Sequence, residues 1–302
     1  MQRFPESDAK YAYSREHASI GTVQPGEVFE VESVEGYSGY FRAPADFTPA
    51  SYAQAEAHKW AVVGPISVAG AEAGEAVAVT IRDVQVVTPG VVTYGAYSPD
   101  VDPYEWWDDE TGCAVYPVED GLVRFDEHTS LPARPLIGCL AVMPADAGVH
   151  AKLQGRYGGN LDCRELRAGA TMILPVAHEG AGLYFGDCKA LMGDGEIVGP
   201  PEVGAVVTAS AVPVSRRSSM EWPRIETSDE LTTIVSGRPL EWSARQAFRE
   251  LLGWVTDDHD LPRAKAALLL AMVAHARIAQ ISNTDYTAYC TAPRDVFAPY
   301  VR

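Results

Sequence analysis

Two short stretches hold the densest polar chemistry of the chain. Gly158 to Leu166 reads GGNLDCREL, and Gly186 to Glu196 reads GDCKALMGDGE. Between them they supply the carboxylates of Asp162, Asp187, Asp194 and Glu196, the ammonium of Lys189 and the amide of Asn160. The intervening TMILPVAHEGAGLYF is strand-like, so a hairpin or two neighbouring strands would carry both acidic loops to one end. Carboxylates gathered in a dry site cannot all stay ionised without compensation. They need a metal ion or a paired Lys or Arg, or else one of them rises in pKa. On spacing alone, Gly-Asp turns are also ordinary surface hairpin loops.

Other nucleophiles compete weakly. Cys188 adjoins Lys189, and a thiolate with Lys and Glu partners can hydrolyse C–N bonds, but adjacent side chains on a strand point to opposite faces. Cys163 reads as a small core residue. No Gly-x-Ser-x-Gly occurs and the seven histidines are scattered, which removes support for a Ser-His-Asp site. His178 falls between the two acidic stretches, in a His-Glu-Gly turn, and His275 reads as a core histidine on the last helix.

Elements able to position these groups are mainly strands. Up to about Val214 the chain is cut by Gly and Pro into short segments rich in Val, Thr, Tyr and Phe, the pattern of a β-sandwich or barrel. Pro25 to Val34, Ala73 to Val84 and, more weakly, the stretch from Val203 share a turn followed by alternating apolar residues. Helical patterns gather at the C-terminal end. Ser243 is placed to cap a helix burying Ala247, Phe248, Leu251, Leu252 and Val255, and Asp260 with Pro262 to open a second over Ala264 to Ile281. Tyr97 to Asp109 reads as a long aromatic loop that shapes a pocket or a subunit contact. The expected organisation is one unit, 1–302, with a mainly β part over about 1–214 and a part with helices over about 215–302.

Composition narrows the class of function. With 302 residues, 47% of them hydrophobic, the chain can bury a large core. Its 41 acidic against 24 basic residues and net charge of −17 argue against a phosphate-tracking surface, so no nucleic-acid partner is expected. The longest apolar run is interrupted by Lys265, His275 and Arg277, and no membrane partner is expected either. The polar start MQRFPESDAKYAYSREH lacks the apolar segment of a secretory signal, which points to the cytoplasm. Five widely spaced cysteines without a Cys-x-x-Cys pair disfavour zinc-finger and disulfide frameworks. Aromatic and apolar excess favours a homodimer.

The two polar stretches also carry a family resemblance. GGNLD resembles the Gly-Gly-Asn-Met-Asp segment of the acetamidase/formamidase family, and GDCKALMGDGE resembles its Gly-Asp-x-His-Ala-x-x-Gly-Asp-Gly-Glu. Trp60 to Ile81, Arg134 to Pro144, Trp222 to Thr227 and the end through Asn283 are similar to further family segments in the family's order. The resemblance implies an α+β, mostly β fold, sandwich- or barrel-like, with C-terminal helices. It also implies hydrolysis of a small linear amide to carboxylate and ammonia. On motif position Glu196 is the expected base, while Asp162, Asp187 and Asp194 hold either a divalent cation (zinc or calcium, with Asp162 and Asp187 as ligands) or Lys189. Asn160 and the backbone around Gly158 and Gly159 would steady the substrate carbonyl.

Two positions depart from the family pattern. Lys189 stands where the family has His, and Tyr157 where a His commonly precedes the paired glycines. Neutral imidazoles suit zinc, and an ammonium instead replaces part of a cation's charge. The competing class is therefore a relative that has lost the metal and binds a ligand, or a specialised hydrolase of another C–N substrate. An exposed lysine on a loop tip is the plainer alternative for Lys189.

Overall fold

The computed structural model describes residues 1–95, 110–146 and 148–300. The aromatic loop expected over Tyr97 to Asp109 lies outside these residues. Two large sheets face each other. The first has nine strands in the order Gln2–Phe4, Val28–Ser33, Ala205–Val214, Ala76–Val86, Thr171–Pro175, Arg224–Glu226, Glu230–Gly237, Tyr286–Pro293 and His275–Gln280. The second has ten, and its path runs Gln154–Gly155, Gly158–Asn160, Leu136–Ala141, Leu183–Lys189, Glu202–Val203, Gly90–Tyr94 and Gly112–Tyr116. Val62–Val68 joins that sheet at Leu183–Lys189 and carries Ala9–Lys10 and Gly21–Val23.

The main core lies between the sheets. Phe29, Val31, Val79, Ile81 and Val207 from the first sheet share it with Val63, Ile66, Ile137, Leu140, Leu183 and Phe185 from the second. Strand chemistry follows depth. Val28–Ser33 alternates half-buried and buried residues, whereas Leu136–Ala141 and Leu183–Lys189 are buried throughout because both faces of the second sheet are covered there. The architecture is the expected mostly-β, α+β sandwich, with sheets that stay open. The three segments of similar pattern become adjacent strands, Val28–Ser33, Ala205–Val214 and Ala76–Val86.

The helices differ more from expectation. Helix α1, Pro49–Glu56, has no counterpart in the sequence reading. Thr48 caps it, its Oγ1 accepting from the Ser51 N–H at 3.0 Å. Helix α2, Leu240–Asp258, begins three residues before Ser243, and that residue is buried inside the helix, donating through Oγ to the Gly237 carbonyl at 2.9 Å. Its apolar face, including Ala247, Leu251 and Val255, covers Val235, Cys290 and Ala292 of the first sheet.

Helix α3 covers only Arg263–Val273, with Pro262 and not Asp260 at its cap position. The rest of the expected helix is the edge strand His275–Gln280, paired antiparallel with Tyr286–Pro293. An apolar run shows no periodicity by which to choose helix or strand, and here the free edge of the sheet supplied hydrogen-bond partners. His275 is accordingly exposed on that strand and is not a core histidine. No helix among the described residues is long and apolar enough to cross a membrane.

Candidate active site

Strand pairing assembles the site around the Leu136–Ala141 strand. On one side Cys139 pairs with Asn160 of Gly158–Asn160, and on the other Leu136 pairs with Lys189 of Leu183–Lys189. Lys189 in turn pairs with Glu202. Asp162 follows immediately after the Gly158–Asn160 strand, where its N–H donates to the Gly138 carbonyl at 3.3 Å. The two acidic stretches therefore meet across a shared neighbour. They are not the ends of one hairpin, because Thr171–Pro175 crosses to the other sheet before Leu183–Lys189 begins.

Alternation on Leu183–Lys189 sends Asp187 and Lys189 to one face. Cys188 goes to the other, into the main core, where burial pushes its thiol up to about 12. Lys189 Nζ lies 3.1 Å from Asp162 Oδ1 and 3.3 Å from Glu202 Oε1, and it donates to Asp187 Oδ2. None of these groups reaches water to any extent: Lys189 and Asp162 are 1% exposed and Asp187 3%. Gly138 makes the convergence sterically feasible, since a Cβ there would lie 2.5 Å from Asp187 Oδ2 and 2.6 Å from Asp162 Oδ1. Backbone strain accompanies it. Asp162, Asp187 and Glu196 have φ of +46°, +58° and +39°, a region that L side chains enter at a cost and that clusters at functional sites.

Charge in this dry volume is balanced by protons as well as by lysine. Burial and then the Asp162 carboxylate hold Glu196 well above the usual carboxylate range, and it shares a hydrogen bond with Asp162. Burial, followed by Asp187, does the same to Glu202, which shares a hydrogen bond with Asp187. Burial also raises Asp162, against the pull of Lys189. Asp187 is the exception: burial would raise it, but Lys189 and its hydrogen bonds prevail and hold it below the ordinary value. Lys189 is held well above its own ordinary value, because Asp162, Asp187 and Glu202 outweigh the desolvation that would neutralise it. The arrangement is two carboxyl pairs, Asp162 with Glu196 and Asp187 with Glu202, with the Lys189 ammonium between them, and in each pair the glutamate is pushed towards its protonated form. Cys139, whose Sγ lies 3.7 Å from Asp187 Oδ2, remains a thiol since burial and both aspartates raise its pKa.

The structure distributes the remaining sequence-selected residues unevenly. Glu196 is half-buried, accepts from Ser282 Oγ at 3.1 Å and connects the buried cluster to an adjoining cavity. Asp194 is not part of the Lys189 cluster. Its carboxylate accepts from Tyr289 OH at 2.7 Å and faces Arg277 and Arg164 at 3.5 and 3.7 Å, because the loop after the strand carries it away from the buried face.

Asn160 is turned inward, its amide donating to the Lys152 carbonyl at 3.2 Å and accepting from Cys139 Sγ at 3.4 Å. Gly158 and Gly159 lie in a strand flanked on both sides, with φ of +90° and +99°, where a Cβ would strike the Leu140 and Leu153 carbonyls. Tyr157 packs against Tyr13, with ring centroids 5.6 Å apart.

Glu202 and Lys59 escaped the sequence reading. Glu202 follows Pro200-Pro201 outside both motifs, and only its pairing with Lys189 discloses it. Lys59, three residues beyond the end of α1, has its Nζ over the Tyr37 and Trp60 rings at 4.9 and 4.7 Å, and its charge acts on both Glu202 and Asp187. Signals for Gly138 were present in the motif Leu136–Ala141, but its purpose depends on what lies across the strand.

The residues present do not fit a divalent cation at the centre of this cluster. The Lys189 ammonium holds the point on which Asp162, Asp187 and Glu202 converge, and a metal beside it would meet like charge. Among the described residues no group of three or more His, Cys, Asp or Glu side chains is spaced to hold a metal ion. His178, the nearest histidine in sequence, directs Nε2 to the Pro144 carbonyl at 2.9 Å.

Comparison with known proteins places the sequence motifs and the fold. Residues 142–225 match the model of the Acetamidase/Formamidase family, a segment spanning both polar motifs. An acetamidase from Bacillus halodurans is 25% identical, with a TM-score of 0.91 over 99% of each chain. A recombinant predicted acetamidase/formamidase from Thermoanaerobacter tengcongensis is 26% identical, with a TM-score of 0.89 over 99% of this chain and 97% of that one. An acetamidase from Yersinia enterocolitica, 23% identical, shares the fold with a TM-score of 0.85 over 98% of this chain and 92% of that one. No curated protein matches the chain significantly. The family match and the shared fold support an amide hydrolase type of protein, acting on C–N bonds. The resemblance read from the motifs is to the acetamidase/formamidase family, and the family model and the shared fold bear it out.

Proposed function

We propose that the chain hydrolyses a primary amide to a carboxylate and ammonia without a resident metal, using Lys189 as its fixed cation. The observation that carries this reading is the Lys189 ammonium within ion-pairing distance of Asp162, Asp187 and Glu202. An ammonium there holds Asp187 ionised and leaves one proton to be shared between Asp162 and Glu196 and another on Glu202. Glu196 is the member of the cluster that reaches a cavity, so it is the catalytic group that touches substrate.

An amide requires an activated water and a proton for its leaving nitrogen. When the shared proton rests on Asp162, Glu196 is a carboxylate, and its raised pKa makes it a stronger base than an ordinary glutamate. It takes a proton from water as the water oxygen bonds to the carbonyl carbon. It then gives that proton to nitrogen as the C–N bond breaks, and ammonia leaves with the carboxyl product. Lys189 and Asp187 are positioning residues that hold Asp162 and its proton in register. Asp194 braces the loop that presents Glu196 through Arg164, Arg277 and Tyr289.

Ammonia release from a panel of primary amides, measured beside elemental analysis of the same exhaustively dialysed protein, tests the proposal. The expected result is turnover with far less than one metal ion per chain, unchanged by chelator. Turnover lost on chelation and restored by a stoichiometric divalent ion would overturn it. Lys189→His, which restores the family residue, should lose this chelator-resistant turnover.

A further inference from the structure

Glu196 opens on a cavity whose walls are almost entirely apolar. An open cavity of about 430 Å³ is bordered by Tyr116, Phe125, Leu131, Ile197 and their neighbours, while Glu196 and Asp194 are its carboxylates. Tyr116 and Phe125 stack with ring centroids 5.3 Å apart and planes 23° from parallel. Phe125, Leu131 and Ile197 are 51%, 41% and 49% exposed, an apolar surface concentrated at one mouth. The volume lies in the range of pockets that enclose a substantial organic molecule, many times what formamide or acetamide would fill.

A neighbouring cavity of about 240 Å³ shares Leu131, Leu191 and Met192 and carries Arg134, Arg164 and Arg167. Glu165 and Asp194 already pair Arg164, and Glu165 pairs Arg167, so most of that positive charge is spent within the fold. Selection therefore falls to the apolar wall.

We infer that the substrate is a primary amide with a large apolar acyl group, aromatic or aliphatic, seated against Tyr116, Phe125, Leu131 and Ile197 with its amide at Glu196. This rests on the hydrolase reading above and names its substrate class. An apolar group that leaves water at this wall binds more strongly than a methyl group can, and each added methylene that fits discriminates by roughly tenfold or more.

The test compares acetamide, hexanamide and phenylacetamide by ammonia release, and phenylacetate by calorimetric binding, in the wild-type protein and in Phe125→Ala. Phenylacetamide or hexanamide should exceed acetamide in kcat/KM by at least roughly tenfold. Phe125→Ala should lower the larger amides by a similar factor and acetamide by a much smaller one, so that the preference for the larger amides shrinks. Phenylacetate should bind the wild type and lose affinity in the variant. Binding without turnover of any amide would retain the apolar site and count against the hydrolase reading. Turnover of acetamide in preference to both larger amides, with no phenylacetate binding, would overturn the inference. So would a change of oligomeric state in Phe125→Ala with kcat/KM unaltered, since the wall would then be a contact between copies of the chain.

Discussion

Gly-Asp occurs twice within GDCKALMGDGE, and the two aspartates have different fates. Asp187 lies on a strand buried on both faces, receives Lys189 and is held below its ordinary pKa. Asp194, seven residues on, lies on a loop near the surface among Tyr289, Arg164 and Arg277. Identical residue pairs thus give a strongly coupled buried group and a modest surface brace. The difference is solvent. In the buried half each charge must be matched by an adjacent ammonium or proton, whereas in the exposed half water does much of that work.

Removing the matching charge from the buried half should have the largest effect. Lys189→Met leaves Asp162, Asp187 and Glu202 without their cation, and breaking a buried ion pair typically costs about 3–5 kcal/mol. Urea unfolding should show a loss of that order, and an unchanged midpoint would mean that the cluster is not electrostatically coupled. Glu196→Gln, at the junction of the two halves, should lower turnover by ~10²–10⁴-fold while the urea midpoint is preserved. Near-normal ammonia release would remove Glu196 as the base.

Gly138→Ala tests the buried half sterically. The added methyl must displace the carboxylates of Asp187 and Asp162, so a loss of about 1–3 kcal/mol is expected, together with loss of turnover. Wild-type stability would indicate that the strand yields easily.

A pH series separates the protonated carboxyl from its ionised partner. Glu202 has a raised folded pKa, so its contribution is fully present below the unfolded Glu value of about 4.3 and is lost as pH rises towards the folded value. Asp187 has the opposite sign: its contribution is present above the ordinary Asp value and lost as pH falls through the depressed folded value. Glu202→Gln should therefore gain stability relative to wild type as pH rises from about 4 to 7. A parallel pair of midpoint curves would contradict the assignment. The smallest change is expected from Asp194→Asn, which weakens partly exposed pairs by about 0–1 kcal/mol and should reduce turnover mildly. Collapse of activity to the level of Glu196→Gln would mean that the exposed half takes part in the chemistry.

Much of this could be read from residue order alone. The acidic composition, the β-rich first two thirds, the helix over Ala247 to Val255 and the density of polar groups in the two motifs all follow from local pattern, since alternation, capping and turn chemistry act over a few residues. The opposed directions of Cys188 and Lys189 followed from strand geometry alone. Tertiary structure decided the rest. It turned His275–Gln280 into a strand because a sheet edge lay beside it. It brought Glu202 to Lys189 by strand pairing and took Asp194 out of the cluster. It also set the direction in which each carboxyl's pKa moves, because that depends on which charges surround it after burial, and those charges come from segments far apart in the chain.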